Sequence, residues 1–337
     1  MTVAVGFFNN KGGVGKTTLA CNFAAYLAME RTQKVVVVDC DPQANATQLM
    51  LSDAKWEEIY EDRGAADAKT VLAALAHIRQ GDSGVADTLE IHESERFGVG
   101  VVAGHPSLSV VEDRLSSSWG EFRAAVLGGA RRSLWVRQLV SNLSRDYDVV
   151  VFDMGPSLGA LNRSVLLGSD AFFTPVAADL FSLYALENIG HWVGGWVDEY
   201  VDARSRLAAT TPEDLNGFGI YEDLPIARGW AGYSVQQYVA KSVGGKIRGV
   251  QSYERYRREI PGRAERLRDR ARVDSALSDL GIVPNMFSMV PLAQAAHAPI
   301  SDLRPSDGVR GAQVTQRARY VDQLNGVFER LARNVGV

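Results

Sequence analysis

Short, uninterrupted apolar runs recur along the chain and alternate with longer stretches that have helical periodicity. The runs occupy residues 3–8, 34–39, 148–153 and 171–175, with shorter or alternating ones at 230–239 and 281–284. Continuous runs of this length predict strands that are buried on both faces, as in a parallel sheet. We therefore expect an α/β fold, a doubly wound and mostly parallel sheet with helices on both faces.

Helical periodicity marks residues 17–29, 134–143, 183–201 and 313–335. The last of these has an apolar face made of Val321, Leu324, Val327, Phe328 and Leu331. That face is short and continuous, which favours packing on the sheet over binding to a membrane. Trp192 and Trp196 lie four residues apart on one side of the 183–201 helix, where we expect a core or dimer contact.

Two regions fall outside this strand and helix pattern. Residues 52–96 are polar, alanine-rich and interrupted by glycines, so we expect helices and loops without strands that decorate the sheet. Residues 241–273 form a basic region that we expect to be helical, with a break near Pro261. Because no repeat or linker divides the chain, the sequence predicts a single domain over residues 1–337.

The composition is that of an ordinary globular protein, with 46% hydrophobic residues and a formal net charge of −4 over 337 residues. A chain that is basic throughout is excluded, so any nucleic-acid surface must be local. Two cysteines, Cys21 and Cys40, cannot form a disulfide framework and indicate a reducing compartment. Because the first predicted strand begins at residue 3, we expect no signal peptide, and no apolar stretch of the sequence reaches the roughly 20 residues that span a membrane. We expect a cytoplasmic protein without a transmembrane segment.

A glycine-rich loop follows the first predicted strand and precedes the first predicted helix. Its sequence, KGGVGKTT, comprises Lys11, Gly12, Gly13, Val14, Gly15, Lys16, Thr17 and Thr18. Glycines in this context let backbone N–H groups turn toward a polyphosphate, and the helix presents its positive N-terminal end. Lys16 would reach the β- and γ-phosphates, and the Thr17 hydroxyl would bind Mg²⁺. The loop therefore predicts ATP and Mg²⁺ as ligands.

This loop departs from the common pattern GxxxxGK[ST], because Asn10 stands where the first glycine is expected and Lys11 follows it. The octapeptide resembles the deviant Walker A motif of the ParA/MinD family of P-loop ATPases. The resemblance implies that Lys11 crosses a dimer interface and contacts the phosphates of the partner's nucleotide. Such a cation would stabilise charge that develops during phosphoryl transfer, as an arginine finger does.

Carboxylates end two of the predicted strands, where doubly wound folds place their ligands. Asp39 and Asp41 belong to the motif DCDPQ, and the resemblance makes Asp41 the residue that serves the attacking water. Asp39 is a candidate for outer-shell contacts to Mg²⁺, or it only caps the loop. Asp153 begins DMGPSL, which is similar to the family's Walker B segment DxPPSL and would hold Mg²⁺ with Thr17. Gly155 replaces a proline there, so the backbone torsion φ that proline would fix is free.

The resemblance also implies where the base of the nucleotide would bind. In the family, groups that follow the last two strands hold the base, and the matching positions here are Gln236 and Pro284. Either residue could equally be an ordinary loop residue.

Positive charge is concentrated between Lys241 and Arg272, where eleven basic residues face four acidic ones. A solvated helix face with ion pairs, such as Glu254 with Arg258, would explain this pattern. The resemblance favours non-specific DNA binding instead, since partition members of the family bind DNA through this region. The candidate DNA contacts are Lys241, Lys246, Arg248, Arg255, Arg258, Arg266 and Arg270.

The sequence thus predicts a ParA-like ATPase that forms an ATP-sandwich homodimer, binds DNA without sequence preference and associates with the nucleoid. A ParB-like protein or a cargo adaptor would stimulate slow hydrolysis and so partition or position DNA or another cargo. One alternative is a MinD-like ATPase that docks on a membrane or a protein scaffold. Another is a metabolic P-loop ligase.

Overall fold

The structure is a computed structural model that describes residues 2–61, 66–211, 214–238, 240–243, 246–249, 251–270 and 278–337. Only the backbone is described for residues 228, 237–238, 240–243, 246–249, 251–253 and 270.

Ten strands lie in the described residues. They are β1 (Val3–Phe7), β2 (Val35–Cys40), β3 (His92–Ser94), β4 (Val99–Val102), β5 (Val149–Met154), β6 (Ala171–Ala177), β7 (Trp230–Tyr238), β8 (Ala240–Val243), β9 (Lys246–Gly249) and β10 (Asp279–Pro284). Eight of them form one sheet in the order β10-β7-β6-β1-β5-β2-β4-β3. Every neighbouring pair in this sheet is parallel except β3 and β4. The strands β8 and β9 form a separate antiparallel hairpin.

The helices connect these strands. They are α1 (Lys16–Arg31), α2 (Asn45–Met50), α3 (Asp53–Tyr60), α4 (Ala76–Gln80), α5 (Leu108–Arg123), α6 (Leu127–Ser133), α7 (Trp135–Leu143), α8 (Ala160–Gly168), α9 (Leu180–Thr210), α10 (Gln251–Arg270), α11 (Met289–Ala295) and α12 (Ala312–Val335). Short 3₁₀ turns occur at Leu215–Phe218, Pro225–Arg228, Ile300–Asp302 and Pro305–Asp307.

Alternate side chains of each central strand enter different cores on the two faces of the sheet. In β2, Val36 and Val38 pack with α5, α7, α8, α9 and α10, whereas Val35 and Val37 pack with α1, α2, α11 and α12. Continuous apolar strands are required for this arrangement, because both faces are covered by helices. The predicted fold class, a doubly wound and mostly parallel α/β sheet, is confirmed.

The expectation that residues 52–96 lack strands was wrong. β3 lies in this region and pairs antiparallel with β4, which also escaped the sequence analysis. The hairpin between them turns at Gly98, whose φ of 67° favours glycine. β3 has only three residues, HES, of which the middle one is exposed, so no apolar run marks it. Such a short edge strand is defined by its partner and not by its own sequence.

The expected break at Pro261 and the expected helix at the start of the basic region were also wrong. Residues 240–249 contribute the β8–β9 hairpin, and α10 continues through Pro261. Proline removes one hydrogen bond from the ladder of a helix. Ile260, Ala264 and Leu267 are buried in the core that α10 shares with α9, and this packing compensates for the lost bond. The part of the expected helix at residues 271–273 lies outside the described residues.

Gly229, just before β7, is expected to tolerate no side chain. A Cβ atom there would lie 2.2 Å from the Asp170 carbonyl oxygen and 3.0 Å from the Ala171 Cα, and both are backbone atoms of the entry to β6. We expect Gly229→Ala to destabilise the protein by about 1–3 kcal/mol, because the two strands must move apart. The matched control is Gly195→Ala on α9, where nothing lies within 4 Å of the added Cβ. That control should gain stability in urea unfolding, and equal midpoints for both variants would contradict the packing of β6 on β7.

Candidate functional site

The glycine loop connects β1 to α1 at the carboxyl end of the sheet. Gly13 and Gly15 have φ values of 73° and 78°, a left-handed conformation that side chains disfavour. Gly15 precedes α1, so the free N–H groups of this helix point into the loop. A cavity of about 590 Å³ opens here and is lined by Gly12, Gly13, Gly15, Lys16, Thr17 and Thr18. Val14 is buried at the back of the loop and does not line the cavity.

Lys16 lies inside this cavity with its charged end close to acidic groups. Its side chain is 7% exposed, and Nζ donates a hydrogen bond to the Lys11 carbonyl oxygen at 3.2 Å. Burial lowers the pKa of Lys16, and the nearby carboxylates of Asp153 and Asp41 oppose that shift. The arrangement places a cation where an anionic ligand in the glycine loop would meet it.

Lys11 forms an ion pair within its own chain. Its Nζ contacts the Asp179 carboxylate and lies 3.5 Å from the Ser182 hydroxyl. Asp179 also caps α9, since its Oδ1 accepts a hydrogen bond from the Ser182 N–H at 3.0 Å. The backbone of Lys11 is fixed by Asn9, whose Oδ1 accepts from the Lys11 N–H at 2.9 Å. The role of Lys11 in a second subunit stays a prediction.

Asp153, the penultimate residue of β5, is a buried carboxylate. Its residue is 0% exposed, and among the described residues no donor meets either oxygen in full hydrogen-bond geometry, although the Thr17 hydroxyl lies close enough to favour the charged form. Burial and the Asp39 carboxylate raise the pKa of Asp153 well above its ordinary value, whereas Thr17 and Lys16 favour its charged form. A buried carboxylate without complete hydrogen bonds is unfavourable unless a cation or a proton joins it. Asp153 and the Thr17 hydroxyl therefore fit Mg²⁺, which accepts one or two protein oxygens and keeps waters and phosphates as further ligands.

Asp39, in contrast, has partners on both oxygens. Oδ1 accepts from the Asp41 N–H at 3.2 Å, and Oδ2 accepts from the Thr47 N–H at 2.9 Å and the Thr47 hydroxyl at 2.7 Å. Burial raises the pKa of Asp39 to about 6, although the Thr47 and Asp41 hydrogen bonds oppose it. These contacts shape the loop from β2 to α2, so the geometry favours the loop-capping alternative over outer-shell contacts to Mg²⁺.

Asp41 lies on the wall of the cavity and faces the segment after β5. Its Oδ1 accepts a hydrogen bond from the Gln43 N–H at 3.0 Å. A Cβ atom built on Gly155 would lie 3.3 Å from Asp41 Oδ1, and one built on Gly12 would lie 4.0 Å from a Pro156 side-chain carbon. The segment after β5 thus lies next to both Asp41 and the glycine loop.

The same cavity includes both residues that the sequence suggested for the base. Gln236 and Pro284 line it, and Gln236 Oε1 would lie 3.7 Å from a Cβ built on Gly15. The sequence analysis missed the neighbours Asn285, Met286, Phe287, Val290 and Gln294, which complete this wall. Their position directly after the last strand was the available signal. Phe287 is 63% exposed at a φ of 40°, which no sequence pattern marks.

The candidate DNA contacts divide into three groups. Arg255 and Arg258 are exposed on α10. Arg266 is paired with Glu187 of α9 at 3.0 Å, and Arg263 contacts the same carboxylate. Glu254 of the same helix forms an ion pair with Arg257 at 3.5 Å. The side chains of Lys241, Lys246, Arg248 and Arg270 lie outside the described residues.

The fold and the glycine loop together define a P-loop nucleotide-binding protein. A family model described as an AAA domain matches residues 2–202, more than half of the chain. The chain belongs to this family, and its relatives confirm the ParA/MinD resemblance.

One relative and two solved structures illustrate the similarity. The chromosome-partitioning ATPase Soj of Treponema pallidum is 26% identical over 279 residues, which cover 76% of this chain and 96% of Soj. The structure of protein DIP2308 from Corynebacterium diphtheriae is 38% identical with a TM-score of 0.73, covering 88% of this chain and 97% of that one. A McdA variant from Cyanothece in complex with ATP has a TM-score of 0.61 over 100% of this chain and 97% of its own; at 16% identity, it shows the fold alone.

The C-terminal helix α12 covers one face of the sheet. Leu324, Val327, Phe328 and Leu331 of its apolar face are buried, and Val321 is partly buried against them. The predicted packing of this helix is confirmed. Among the described residues, no helix combines the length and the apolar character needed to cross a membrane.

Proposed function

We propose that this chain is a ParA-like ATPase that binds Mg-ATP in the glycine loop, dimerises around the nucleotide and binds DNA without sequence preference. The observation that carries the proposal is the buried, incompletely hydrogen-bonded carboxylate of Asp153 beside Thr17 and the glycine loop. Such a carboxylate is stable when a cation joins it, and Mg²⁺ accompanies nucleoside triphosphates. When bound, Mg²⁺ neutralises phosphate charge and so favours phosphoryl transfer.

The residues around the cavity have separate tasks in this proposal. The N–H groups of the glycine loop and the N-terminal end of α1 bind the phosphates. Lys16 neutralises charge on the β- and γ-phosphates, and Thr17 and Asp153 supply the protein oxygens for Mg²⁺. Asp41 accepts a hydrogen bond from the attacking water and orients it toward the γ-phosphate. Gln236 and Pro284 contact the base.

The dimer requires Lys11 to change partners. In a single chain Lys11 is paired with Asp179, and both side chains are partly exposed, at 29% and 37%. An exposed ion pair of this kind is worth about 0–1 kcal/mol, so phosphates from a second subunit can replace Asp179. When one chain binds ATP, the phosphates of that ATP therefore attract Lys11 of the second chain.

DNA binding is assigned to the basic region from Lys241 to Arg270. Among the described side chains of this region, those of Arg255 and Arg258 are exposed. Arginine contacts to DNA phosphates do not depend on the base sequence. A ParB-like protein or a cargo adaptor would stimulate hydrolysis and release the dimer from DNA. Membrane docking through α12 has less support, because the apolar face of that helix is buried.

Lys11→Ala should prevent the ATP-dependent dimer and leave ATP binding by the single chain largely unchanged. The physical reason is that Lys16, and not Lys11, lines the cavity of its own chain. The measurement is sedimentation velocity in Mg-ATP, in the background of Asp41→Ala to slow hydrolysis. The matched control is Lys55→Ala, which removes a lysine that is paired with Glu58 at 3.0 Å on the surface. A dimer in ATP for the Lys11 variant, or a monomer for every variant, would contradict the proposal.

A further inference from the structure

Asn162, on the first turn of α8, ties together the segment that follows β5. It is 2% exposed, and its Nδ2 donates hydrogen bonds to the Gly155 and Ser157 carbonyl oxygens, both at 2.8 Å. An amide group has two N–H hydrogens, and the two carbonyl groups accept both of them. A buried donor that meets two backbone acceptors is costly to remove, because both acceptors lose their partner.

The segment held by Asn162 forms a wedge between Asp41 and the glycine loop. Gly155 lies close to the Asp41 carboxylate, since a Cβ atom added to Gly155 would come within 3.3 Å of Oδ1. Pro156 lies near Gly12, where an added Cβ atom would come within 4.0 Å of the proline side chain, and both residues line the cavity. Glycine at position 155 leaves the backbone torsions unrestrained by a side chain, so the segment needs an external restraint to keep this position.

The first turn of α8, which carries Asn162, is itself held in place. Glu112 of α5 accepts hydrogen bonds from the Ala160 N–H and, at 3.0 Å, from the Leu161 N–H, so it caps the start of α8. A carboxylate at the N-terminus of a helix is also favoured by the helix dipole. Asn162 therefore reaches Gly155 from a helix whose first turn is attached to a neighbouring helix.

We propose that Asn162 is a positioning residue for ATP hydrolysis. By holding the Gly155 and Ser157 carbonyl groups, it keeps the wedge against Asp41 and fixes the direction in which the Asp41 carboxylate faces the water. Asn162 makes no contact with the cavity itself, so its effect acts on the rate of hydrolysis and not on nucleotide affinity. This inference rests on the proposed function, because it takes Asp41 to be the residue that serves the water.

The test compares Asn162→Ala and Asn162→Asp with the wild type and with Asn142→Ala. Asn142 is a matched control, because its Nδ2 also donates to a backbone carbonyl oxygen, that of Ala86 at 3.2 Å, far from the wedge. The readouts are the dissociation constant for a fluorescent ATP analogue with Mg²⁺, the single-turnover rate of hydrolysis, and the melting temperature. The rate of hydrolysis should fall about tenfold or more in both Asn162 variants. A tenfold loss corresponds to the free energy of about one buried hydrogen bond. The affinities of both variants should stay within about twofold of the wild type.

Asn162→Asp separates positioning from packing, since aspartate has the same shape but a carboxylate cannot donate to two carbonyl groups. A wild-type rate for Asn162→Asp or Asn162→Ala would overturn the inference, as would equal losses for Asn142→Ala. Gly155→Ala offers an independent approach if the Asn162 variants do not fold, because its Cβ would push on Asp41 from the same side. An unchanged rate for that variant would overturn the inference too. A wild-type protein that hydrolyses no ATP contradicts the proposed function itself.

Discussion

Replacing Lys16 with alanine is expected to lower the affinity for ATP by roughly two to three orders of magnitude, since charge-assisted hydrogen bonds to phosphates contribute about 1.5–3 kcal/mol each. The Lys16 ammonium group is buried in the cavity beside the glycine loop, and burial lowers its pKa. Burial makes the charge of Lys16 unfavourable, and an anionic ligand offsets this effect. The attraction between Lys16 and a phosphate is therefore stronger than that of an exposed lysine. Titration with a fluorescent ATP analogue in Mg²⁺ measures the loss.

Lys34→Ala is the matched control for this experiment. Lys34 is an exposed lysine just before β2, at the opposite end of the strand from the site. Its removal should leave the affinity within about twofold, as is usual for surface substitutions. Equal affinities for the Lys16 variant and the wild type would show that the glycine loop is not the nucleotide site.

Asp153→Asn is expected to raise the melting temperature of the nucleotide-free protein and to abolish the effect of Mg²⁺ on ATP binding. Burial and the Asp39 carboxylate make the charge of Asp153 unfavourable, and together they outweigh the favourable contributions of Thr17 and Lys16. Asparagine has the same shape without the charge, so the folded state loses a repulsion. A neutral amide is also a poor ligand for Mg²⁺ at this position. The substitution is therefore expected to increase the stability of the protein and to impair its function.

The control for this substitution is Asp148→Asn near the start of the same strand. Asp148 is exposed, and its Oδ2 accepts from the Lys34 N–H at 2.9 Å. Thermal unfolding without nucleotide and ATP titrations with and without Mg²⁺ should leave this control close to the wild type. If Asp153→Asn lowers the melting temperature, or keeps the full response to Mg²⁺, the assignment of Asp153 is wrong.

The sequence predicted the central sheet because its strands are long, apolar and buried on both faces. The run at 34–39 corresponds to β2, and the run at 148–153 corresponds to β5. β3 was missed because an edge strand needs less apolar surface and depends on its neighbour, and β4 was missed because its four residues, VGVV, form only a short run. The continuation of α10 through Pro261 depends on packing against α9, and no local propensity includes that energy.

The phosphate end of the site was predictable because each chemical task there requires a particular residue type at a fixed spacing. The structure places Thr17, Lys16, Asp41 and Asp153 together, as expected from the ends of neighbouring parallel strands. Asn162 was not predicted, because its role depends on two carbonyl groups of a neighbouring segment and not on a motif. The pairing of Lys11 with Asp179 was also invisible, since 168 residues separate the two in sequence.

ATP is expected to control DNA binding by this chain. The most direct measurement is co-sedimentation with DNA of mixed sequence at several salt concentrations, in Mg-ATP and in Mg-ADP, for the wild type and Lys16→Ala. Binding by the wild type should be strong in ATP, weak in ADP and reduced steeply by salt, because the contacts are to phosphates. Lys16→Ala should bind weakly in both nucleotides. Equal binding in ATP, in ADP and by Lys16→Ala would contradict the account.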